Sequence, residues 1–415
     1  MGLMLIGIPV AFTFGILSLV MFLLADLSPL AIPMELLSTA DSFALLSVPL
    51  FLLMSHILLQ GGIGKDLFAA VQSWVGHWPG GLSIATIISC TIFAAISGSS
   101  VATAATIGNV AITEMTERGY NRRFVLGLLA AGGTLGILIP PSIPMIIYGV
   151  ITEESIVDLF MAGFGPGLLL AGLFILYSIG YSMFGGAYQP SSKATSRMRV
   201  DASLKALPTF LLAVVIIGGI YAGVFTPTES AGIGVTLSLI IVIGMKRFDW
   251  IKFQSALQST MKTTVTIFLI VAGAKIFGKA ITLYDIPQEI SETLVRTIHS
   301  PGIFILAVCV ILLIMGFFLE SMSMLLLMVP ILYPTVLAFN LDVIWFGIIF
   351  VIMIECALIS PPVGLNLFVI QAVDGGELID VIRGVWPFFL IMLGSVFLIY
   401  FIPDIALYLP FKLFR

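Results

Sequence analysis

Apolar runs long enough to enter a membrane follow one another along almost the whole chain. Only 10% of the 415 residues are charged and 60% are hydrophobic, whereas a soluble domain carries about 25% charged residues. So few charges cannot cover the surface of a soluble fold of this length. The sequence therefore predicts an all-α polytopic protein of the lipid bilayer, with about 10–14 membrane segments of about 20 residues each. The net charge of −4 and the lack of a basic stripe exclude nucleic-acid binding as a main role.

The apolar runs give the approximate bounds of the expected segments. The first run is too long for the apolar part of a signal peptide, and we interpret it as a retained span. The runs cover residues 1–24, 43–60, 82–96, 101–115, 124–150, 163–185, 207–225, 229–245, 263–283, 302–319, 322–338, 343–372 and 384–409.

Charged residues indicate which loops face the cytoplasm. Lys and Arg cluster at 118–123, 193–205 and 246–252, whereas the loops at 26–41 and 153–158 carry acids. Basic loops stay on the cytoplasmic side of a membrane. This pattern predicts a cytoplasmic N-terminus and a periplasmic C-terminus.

Two pairs of short runs predict re-entrant hairpins. Runs 82–96 and 101–115 lie between Lys65 and Arg118, which both favour the cytoplasmic side, and each run is shorter than a span. Runs 302–319 and 322–338 form a second pair. Two full spans joined by a tiny turn would also satisfy the charges, but polar residues at both turns favour hairpins.

The second half of the chain repeats the pattern of the first. Pro140-Pro141 in one half corresponds to Pro361-Pro362 in the other, and each pair follows a hairpin. Because the hairpins enter from opposite sides, we predict two inverted-topology repeats: residues 1–206, then scaffold spans with a connecting amphipathic helix at 207–262, then residues 263–415. The other explanation is chance similarity between Leu-rich and Ile-rich segments. Inverted repeats with matched helix breaks are typical of secondary transporters, whose sites lie at the repeat interface.

The helix breaks expose oxygen atoms in mid-membrane. Proline and glycine free backbone carbonyls there, and neighbouring hydroxyl and amide oxygens add neutral ligands that suit Na⁺. Half-helix N-termini at the same breaks favour a carboxylate. The alternative is that each hydroxyl bonds back to its own helix. The polar side chains at the breaks are Ser97, Ser99, Ser100, Thr103, Thr134, Ser321, Ser323 and Asn366, with Glu320 as the best ionisable candidate.

The sequence carries no motif of a nucleotide-driven pump or of a membrane protease. We therefore predict a protein that is not an enzyme and that draws on an ion gradient. Glu355 and Lys275 also lie within spans and fit either a structural or an interfacial role.

Four segments carry a pattern that is specific when they are taken together: Ser97–Thr103, Gly132–Ser142, Phe225–Gly232 and Ser360–Asn366. With them the chain resembles the large membrane subunit of a TRAP (tripartite ATP-independent periplasmic) transporter, and the resemblance covers essentially the whole chain.

This resemblance implies a scaffold and a mobile part that carries two hairpins, working as an elevator. It implies Na⁺-coupled uptake of organic acids, such as C4-dicarboxylates or sialic acid, across the bacterial inner membrane. It also implies two partners, a small four-helix membrane subunit and a periplasmic substrate-binding protein. A stand-alone Na⁺/organic-anion symporter of similar build is the alternative.

The resemblance also places the family's ion sites between each hairpin tip and the broken span after it. The Na⁺ positions would be Ser97, Ser99, Ser100, Thr103, Gly133 and Thr134 in one half, and Glu320, Ser321, Ser323, Gly364 and Asn366 in the other. We expect the organic acid between the hairpins, at Gly98, Pro140, Pro141, Ser142, Ser360, Pro361 and Pro362.

Overall fold

The computed structural model describes residues 8–25, 30–184 and 192–413, and every regular element in these segments is a helix. The prediction of an all-α membrane protein is confirmed. Helices suit this chain because each helix forms hydrogen bonds between its own backbone N–H and C=O groups. These groups would find no hydrogen-bond partner in hydrocarbon.

The helices follow one another with short connections. The first nine are α1 (Val10–Leu24), α2 (Ala31–Ala40), α3 (Ser47–Gln60), α4 (Ile63–Val75), α5 (Gly81–Ser97), α6 (Ser100–Glu117), α7 (Arg122–Leu138), α8 (Ile143–Thr152) and α9 (Ile156–Phe184). The others are α10 (Ser196–Tyr221), α11 (Pro227–Gly244), α12 (Trp250–Leu283), α13 (Ile286–Thr297), α14 (Pro301–Met315), α15 (Ser321–Ala338), α16 (Val343–Ile359), α17 (Leu365–Asp374), α18 (Leu378–Phe401) and α19 (Asp404–Tyr408), with a π-helical turn at Leu409–Leu413.

Fewer helices can cross a membrane than the length suggested. Within the described residues six helices are long and apolar enough, and two bent helix pairs raise the number to eight. The expected 10–14 segments exceed this number because most helices of the hairpins and of the broken spans are shorter than a span, with α15 of the second hairpin as an exception. The six are α9, α10, α11, α12, α15 and α18.

Several predicted bounds need correction. The boundaries at 206/207 and 262/263 fall inside the continuous helices α10 and α12, because polar first turns hide where these helices begin. The helices α2, α4 and α13 were not predicted, since none of them is a long apolar run. The predicted first span begins in residues 1–7, which lie outside the described residues, and its described part is α1.

The two halves carry the same helices at the same spacing. Helices α6 and α15 have 18 residues each, and α7 and α16 have 17 residues each. The separation along the chain between the starts of α6 and α15 equals that between the starts of α7 and α16. Their N-caps also match: the Asn121 side chain accepts a hydrogen bond from the Arg123 amide (3.0 Å), and the Asp342 side chain accepts one from the Trp345 amide (2.8 Å). Matched lengths and caps support a genuine repeat over chance similarity of apolar segments.

Each hairpin packs against the broken span of the other half. Helix α6 of the first hairpin contacts α17, and helix α15 of the second contacts α8. At the first contact Gly108 faces Ile370, where a Cβ atom on Gly108 would lie 3.4 Å from the isoleucine side chain. A pseudo-two-fold relation between the halves produces this reciprocal packing. The packing joins both hairpins and both broken spans into one body.

Helices α7 and α18 hold the two halves together by a close crossing. A Cβ atom on Gly384 would strike the Arg123 carbonyl, and one on Gly127 would strike Gly384. At the end of the crossing Arg123 pairs with Asp380 (2.7 Å). Next to it, the Arg122 guanidinium donates two hydrogen bonds to Asp374 (3.2 and 2.7 Å). The backbone contacts and the Arg123–Asp380 pair fix α7 against α18, and the Arg122–Asp374 pair fixes α7 against the end of α17.

A second group of helices surrounds this body. Helix α12 packs on α1 and α3, and α3 packs on α11. His56 Nδ1 lies 2.9 Å from the Thr260 hydroxyl, which links α3 to α12, and the rings of Phe14 and Phe277 stack at 5.2 Å. The amphipathic helices α4 and α13 lead from this group to the two hairpins. We call α1–α3 and α10–α12 the outer group, and α5–α9 with α14–α18 the inner block.

Gly384→Ala tests the close crossing of α7 and α18. The added methyl has no room, so we expect the free energy of unfolding to fall by about 1–3 kcal/mol. Gly394→Ala is the matched control in the same helix, because nothing lies within 4 Å of its Cβ position. Thermal unfolding in detergent should show a lower midpoint for Gly384→Ala only. Equal midpoints for the two variants would contradict the crossing.

Candidate ion and solute site at the hairpin tips

The first hairpin turns at two residues. Gly98 takes the left-handed conformation (φ 57°), which glycine adopts without a steric cost. Ser99 is extended and caps α6, with its hydroxyl accepting from the Ala102 amide at 3.4 Å. This sequence ends α5 and starts α6 within the protein interior.

Hydroxyl groups meet at this turn. The hydroxyls of Ser97 and Thr103, both fully buried, lie 2.8 Å apart. Thr103 also donates to the Ser99 carbonyl at 2.9 Å. Ser100 is buried beside them. The Thr103 hydroxyl therefore bonds to its own helix, as the alternative explanation predicts. It also contacts the Ser97 hydroxyl, and this contact links the two helices of the hairpin.

The first tip presses against the broken span α7–α8. A Cβ atom on Gly98 would lie 2.7 Å from the Pro141 carbonyl, and one on Gly133 would lie 3.0 Å from the Ser100 carbonyl. A Cβ atom on Gly136 would lie 2.7 Å from the Ser99 carbonyl and 2.9 Å from the Thr103 hydroxyl. Only glycine allows α7 this close to the tip, so the structure brings the predicted residues of tip and break together.

One residue of the first set, Thr134, differs from expectation, and one residue outside the set contacts the tip. The Thr134 hydroxyl donates to the Ala131 carbonyl (2.6 Å) and contacts the Met392 sulfur of α18 (3.7 Å), so its described contacts do not include the tip. Gly136, which was not predicted, supplies a tip contact instead. Its spacing of three from Gly133, which places both on one helix face, was the signal available in the sequence.

The breaks themselves are similar in the two halves. Pro140-Pro141 and Pro361-Pro362 both contain a cis peptide bond. Ser142 is buried and caps α8, its hydroxyl accepting from the Met145 amide at 3.4 Å. Ser360 is buried and donates to the Ala357 carbonyl at 3.1 Å. Each break therefore starts a short helix within the inner block, although the first break is enclosed and the second is partly exposed.

The second tip has a carboxylate where the first has hydroxyls. Glu320 occupies the N-cap position of α15, and the Ser323 hydroxyl donates to its carboxylate at 3.4 Å. Ser321 and Ser323 are buried. Gly364 packs directly on the Leu358 carbonyl, so the break folds back on α16.

Asn366 lies between the two halves. Its side chain is fully buried, and its amide nitrogen donates to the Ala130 carbonyl of α7 at 3.5 Å. Its amide oxygen has no partner among the described residues. An unpaired buried oxygen is costly. The bond to α7 ties Asn366 to the first repeat as well as to the second.

Glu355 is the one acidic or basic side chain that is fully buried among the described residues, and neither of its carboxylate oxygens has a partner there. It lies on α16 at the position that corresponds to Thr134 on α7 in the first repeat. The structure thus places it in the core of the inner block and not at an interface with the membrane.

The sequence matches one known family over residues 1–405, described as the tripartite ATP-independent periplasmic transporter, DctM component. It is 39% identical to the C4-dicarboxylate TRAP transporter large permease protein DctM of Pseudomonas aeruginosa, over 95% of this chain and 92% of that protein. The chain belongs to the DctM family of TRAP transporters. It is a multi-pass transporter permease and not an enzyme.

Two further similarities extend this assignment. The chain is 32% identical to the sialic acid TRAP transporter large permease protein SiaM of Vibrio cholerae, over 99% of this chain and 96% of that protein. The crystal structure of the YdaH transporter of Alcanivorax borkumensis shares the fold, with a TM-score of 0.60 over 91% of this chain and 88% of that one at 13% identity. The TRAP permease thus has relatives named for different acids.

Gly98→Ala tests the contact between the tip and the broken span. The methyl would meet the Pro141 carbonyl, so we expect solute uptake by the reconstituted transporter to fall at least tenfold. Gly375→Ala is the control, because Gly375 has a similar left-handed φ of 70° but nothing within 4 Å of its Cβ position. If both variants lose the same activity, backbone strain is the cause and the contact is not required.

Proposed function

We propose that this permease is the translocating subunit of a Na⁺-coupled transporter that takes up a small organic acid across the bacterial inner membrane. The observation that carries the proposal is the first junction, where a buried cluster of hydroxyl and carbonyl oxygens closes on the glycine face of α7. The cluster contains only neutral oxygens from Ser97, Ser99 and Thr103.

Neutral oxygen atoms fit a monovalent hard cation, which is here a transported substrate. Ser97, Ser99, Ser100 and Thr103 would hold Na⁺ at the first tip, with backbone carbonyls near Gly133. The unpaired Asn366 oxygen supports a cation near α7. At the second tip Glu320 would add a negative charge, with Ser321 and Ser323 next to it in the chain and Gly364 supplied by the second break. Thr134 is the weakest member of the set, because its hydroxyl bonds to Ala131.

The organic acid would bind at the paired breaks. Helices α8 and α17 begin at the breaks, and α6 and α15 begin at the hairpin tips. Helix N-termini carry partial positive charge that stabilises a carboxylate. Gly98 contacts Pro141 at the first break, and Ser142 starts α8 there. The candidate contacts are Gly98, Pro140, Pro141 and Ser142, with Ser360, Pro361 and Pro362 in the other half. The named acids of the two relatives support this substrate class.

An elevator movement fits the two groups of helices. The inner block is held together by the contacts of α6 with α17, of α15 with α8, and of α7 with α18. The outer group packs around α3 and α12. In our proposal the block moves as one body relative to the outer group, and the helices α4 and α13 connect the two parts.

We place the N-terminus in the cytoplasm and the C-terminus in the periplasm, from the positions of the basic loops. Family membership supports two partners, a small four-helix membrane subunit and a periplasmic substrate-binding protein that delivers the acid. A stand-alone Na⁺/organic-anion symporter is the second candidate. Uptake by the permease without the binding protein would favour it.

The first test is uptake into proteoliposomes that contain the permease with its small subunit and binding protein. We expect uptake of the acid to depend on an inward Na⁺ gradient, because the ion stabilises the tip oxygens together with the solute. A K⁺ gradient of equal size is the control. Equal uptake with either cation would refute sodium coupling.

Thr103→Val tests the first ion site. The substitution keeps the branched shape and removes the hydroxyl that contacts Ser97 and the Ser99 carbonyl. We expect the Na⁺ concentration for half-maximal uptake to rise about tenfold, equivalent to about 1.4 kcal/mol. Thr106→Val is the control one turn later, because that hydroxyl bonds only to the Ala102 carbonyl of its own helix (2.7 Å). An unchanged Na⁺ dependence in Thr103→Val would remove this residue from the site.

A further inference from the structure

A shallow cavity of about 460 Å³ opens between the outer group and the start of α4, and no residue of the hairpin tips lines it. It lies where α3 bends into α4, by 70°, and where α11 turns into α12. Four basic and two acidic side chains line the cavity. The basic residues are Lys65, Lys246, Arg247 and Lys252, and the acidic residues are Asp66 and Asp249.

Both acids of this cavity are already engaged within the protein. Arg247 forms a two-point ion pair with Asp66, whose side chain is only 12% exposed, and also donates to the Gly61 carbonyl at 3.3 Å. Asp249 caps α12 by accepting from the Ile251 amide at 2.8 Å. Asp66 is therefore neutralised by Arg247, whereas Asp249 keeps its charge, so three lysines face one remaining carboxylate in this cavity.

The three lysines are exposed and have no ion-pair partner in the part of the chain that the structure describes. Lys65 lies in the first turn of α4, Lys246 lies in the α11–α12 turn with a left-handed φ of 57°, and Lys252 lies in the first turn of α12. Three ammonium groups around one cavity attract an anion of high charge density, such as a phosphate.

Large apolar side chains lie beside the lysines. Phe248 is 41% exposed, Trp250 is 60% exposed and Ile251 is 76% exposed. Tryptophan next to basic residues is typical of the boundary between hydrocarbon and water. The basic loops also predict that this boundary is the cytoplasmic one, where the leaflet carries anionic lipid. The apolar neighbours favour a phosphate that is attached to acyl chains.

We propose that this cavity binds the phosphate headgroup of an anionic phospholipid from the cytoplasmic leaflet. Lys65, Lys246 and Lys252 contact the phosphate, and Phe248, Trp250 and Ile251 contact the lipid chains. The bound lipid joins the α3–α4 bend to the α11–α12 turn, so it fixes the outer group at the membrane surface. The site does not depend on the coupling ion or on the transported acid.

Native mass spectrometry of the detergent-purified permease tests this site. The probes are 1-palmitoyl-2-oleoyl-phosphatidylglycerol and the phosphatidylcholine with the same chains. The K65Q/K246Q/K252Q variant should bind phosphatidylglycerol at least tenfold more weakly than the wild type. The control variant K193Q/R197Q/R383Q loses the same charge from exposed cations outside the cavity, and it should bind like the wild type.

Competition with glycerol 1-phosphate distinguishes the two sources of phosphate. If the site is for lipid, millimolar glycerol 1-phosphate leaves the phosphatidylglycerol complex intact. Displacement by glycerol 1-phosphate would identify a site for a soluble phosphate and overturn the proposal. Equal binding of the two lipids by the wild type, or equal losses in the two variants, would overturn it as well. Unchanged thermal unfolding of both variants is the check on folding.

Discussion

Backbone N–H and C=O groups inside a membrane need hydrogen-bond partners from the protein. In this permease the two helix breaks interrupt the helical hydrogen bonds in the interior of the fold. A cis Pro-Pro pair interrupts α7–α8 and another interrupts α16–α17. Unpaired carbonyls cannot face hydrocarbon, so irregular backbone is tolerated only where it is buried in protein or lines a water-filled cavity. The first hairpin tip covers the first break, with Gly98 placed against the Pro141 carbonyl. The site therefore lies where the backbone is least regular.

The same requirement explains the interlocked halves. Neither hairpin is enclosed by its own repeat alone, because α6 also contacts α17 and α15 also contacts α8. The crossing of Gly127 with Gly384 then lets α7 and α18 approach at backbone distance, and Arg123 and Asp380 pair at its end. A body built in this way is suited to move as a unit, as the proposed elevator requires. The outer group, with the proposed lipid site at its edge, would stay fixed in the membrane.

Much of the candidate site could be predicted from local sequence. Gly98 and Ser99 form a turn by their own conformational preferences, and Thr103 lies one helical turn after Ser99 on the same face. Such relations need no tertiary information. The contacts of Thr134 and Gly136 do need tertiary information. The rotation of α7 against α5, α6 and α18 determines which of the two residues faces the tip. That rotation is set by packing and not by the residues of α7 alone.

Long-range partners were equally hidden. Asn366 was grouped with the second tip, whereas its amide bonds to Ala130 in the first repeat. The amphipathic helices α4 and α13 are not predicted either. A search for long apolar runs misses them, because only one face of each helix is apolar.

The sequence by itself determined that the chain is a membrane protein with two hairpins and two Pro-Pro breaks, repeated at matching positions in its two halves. Composition, helix breakers and capping residues act locally, so they can be read in order along the chain. Only the tertiary structure decided which glycines meet the hairpin tip, which half Asn366 bonds to, and which lysines share one cavity. Those contacts join residues of different helices and, for Asn366, of opposite halves of the chain, and the free energy of packing the whole body selects them.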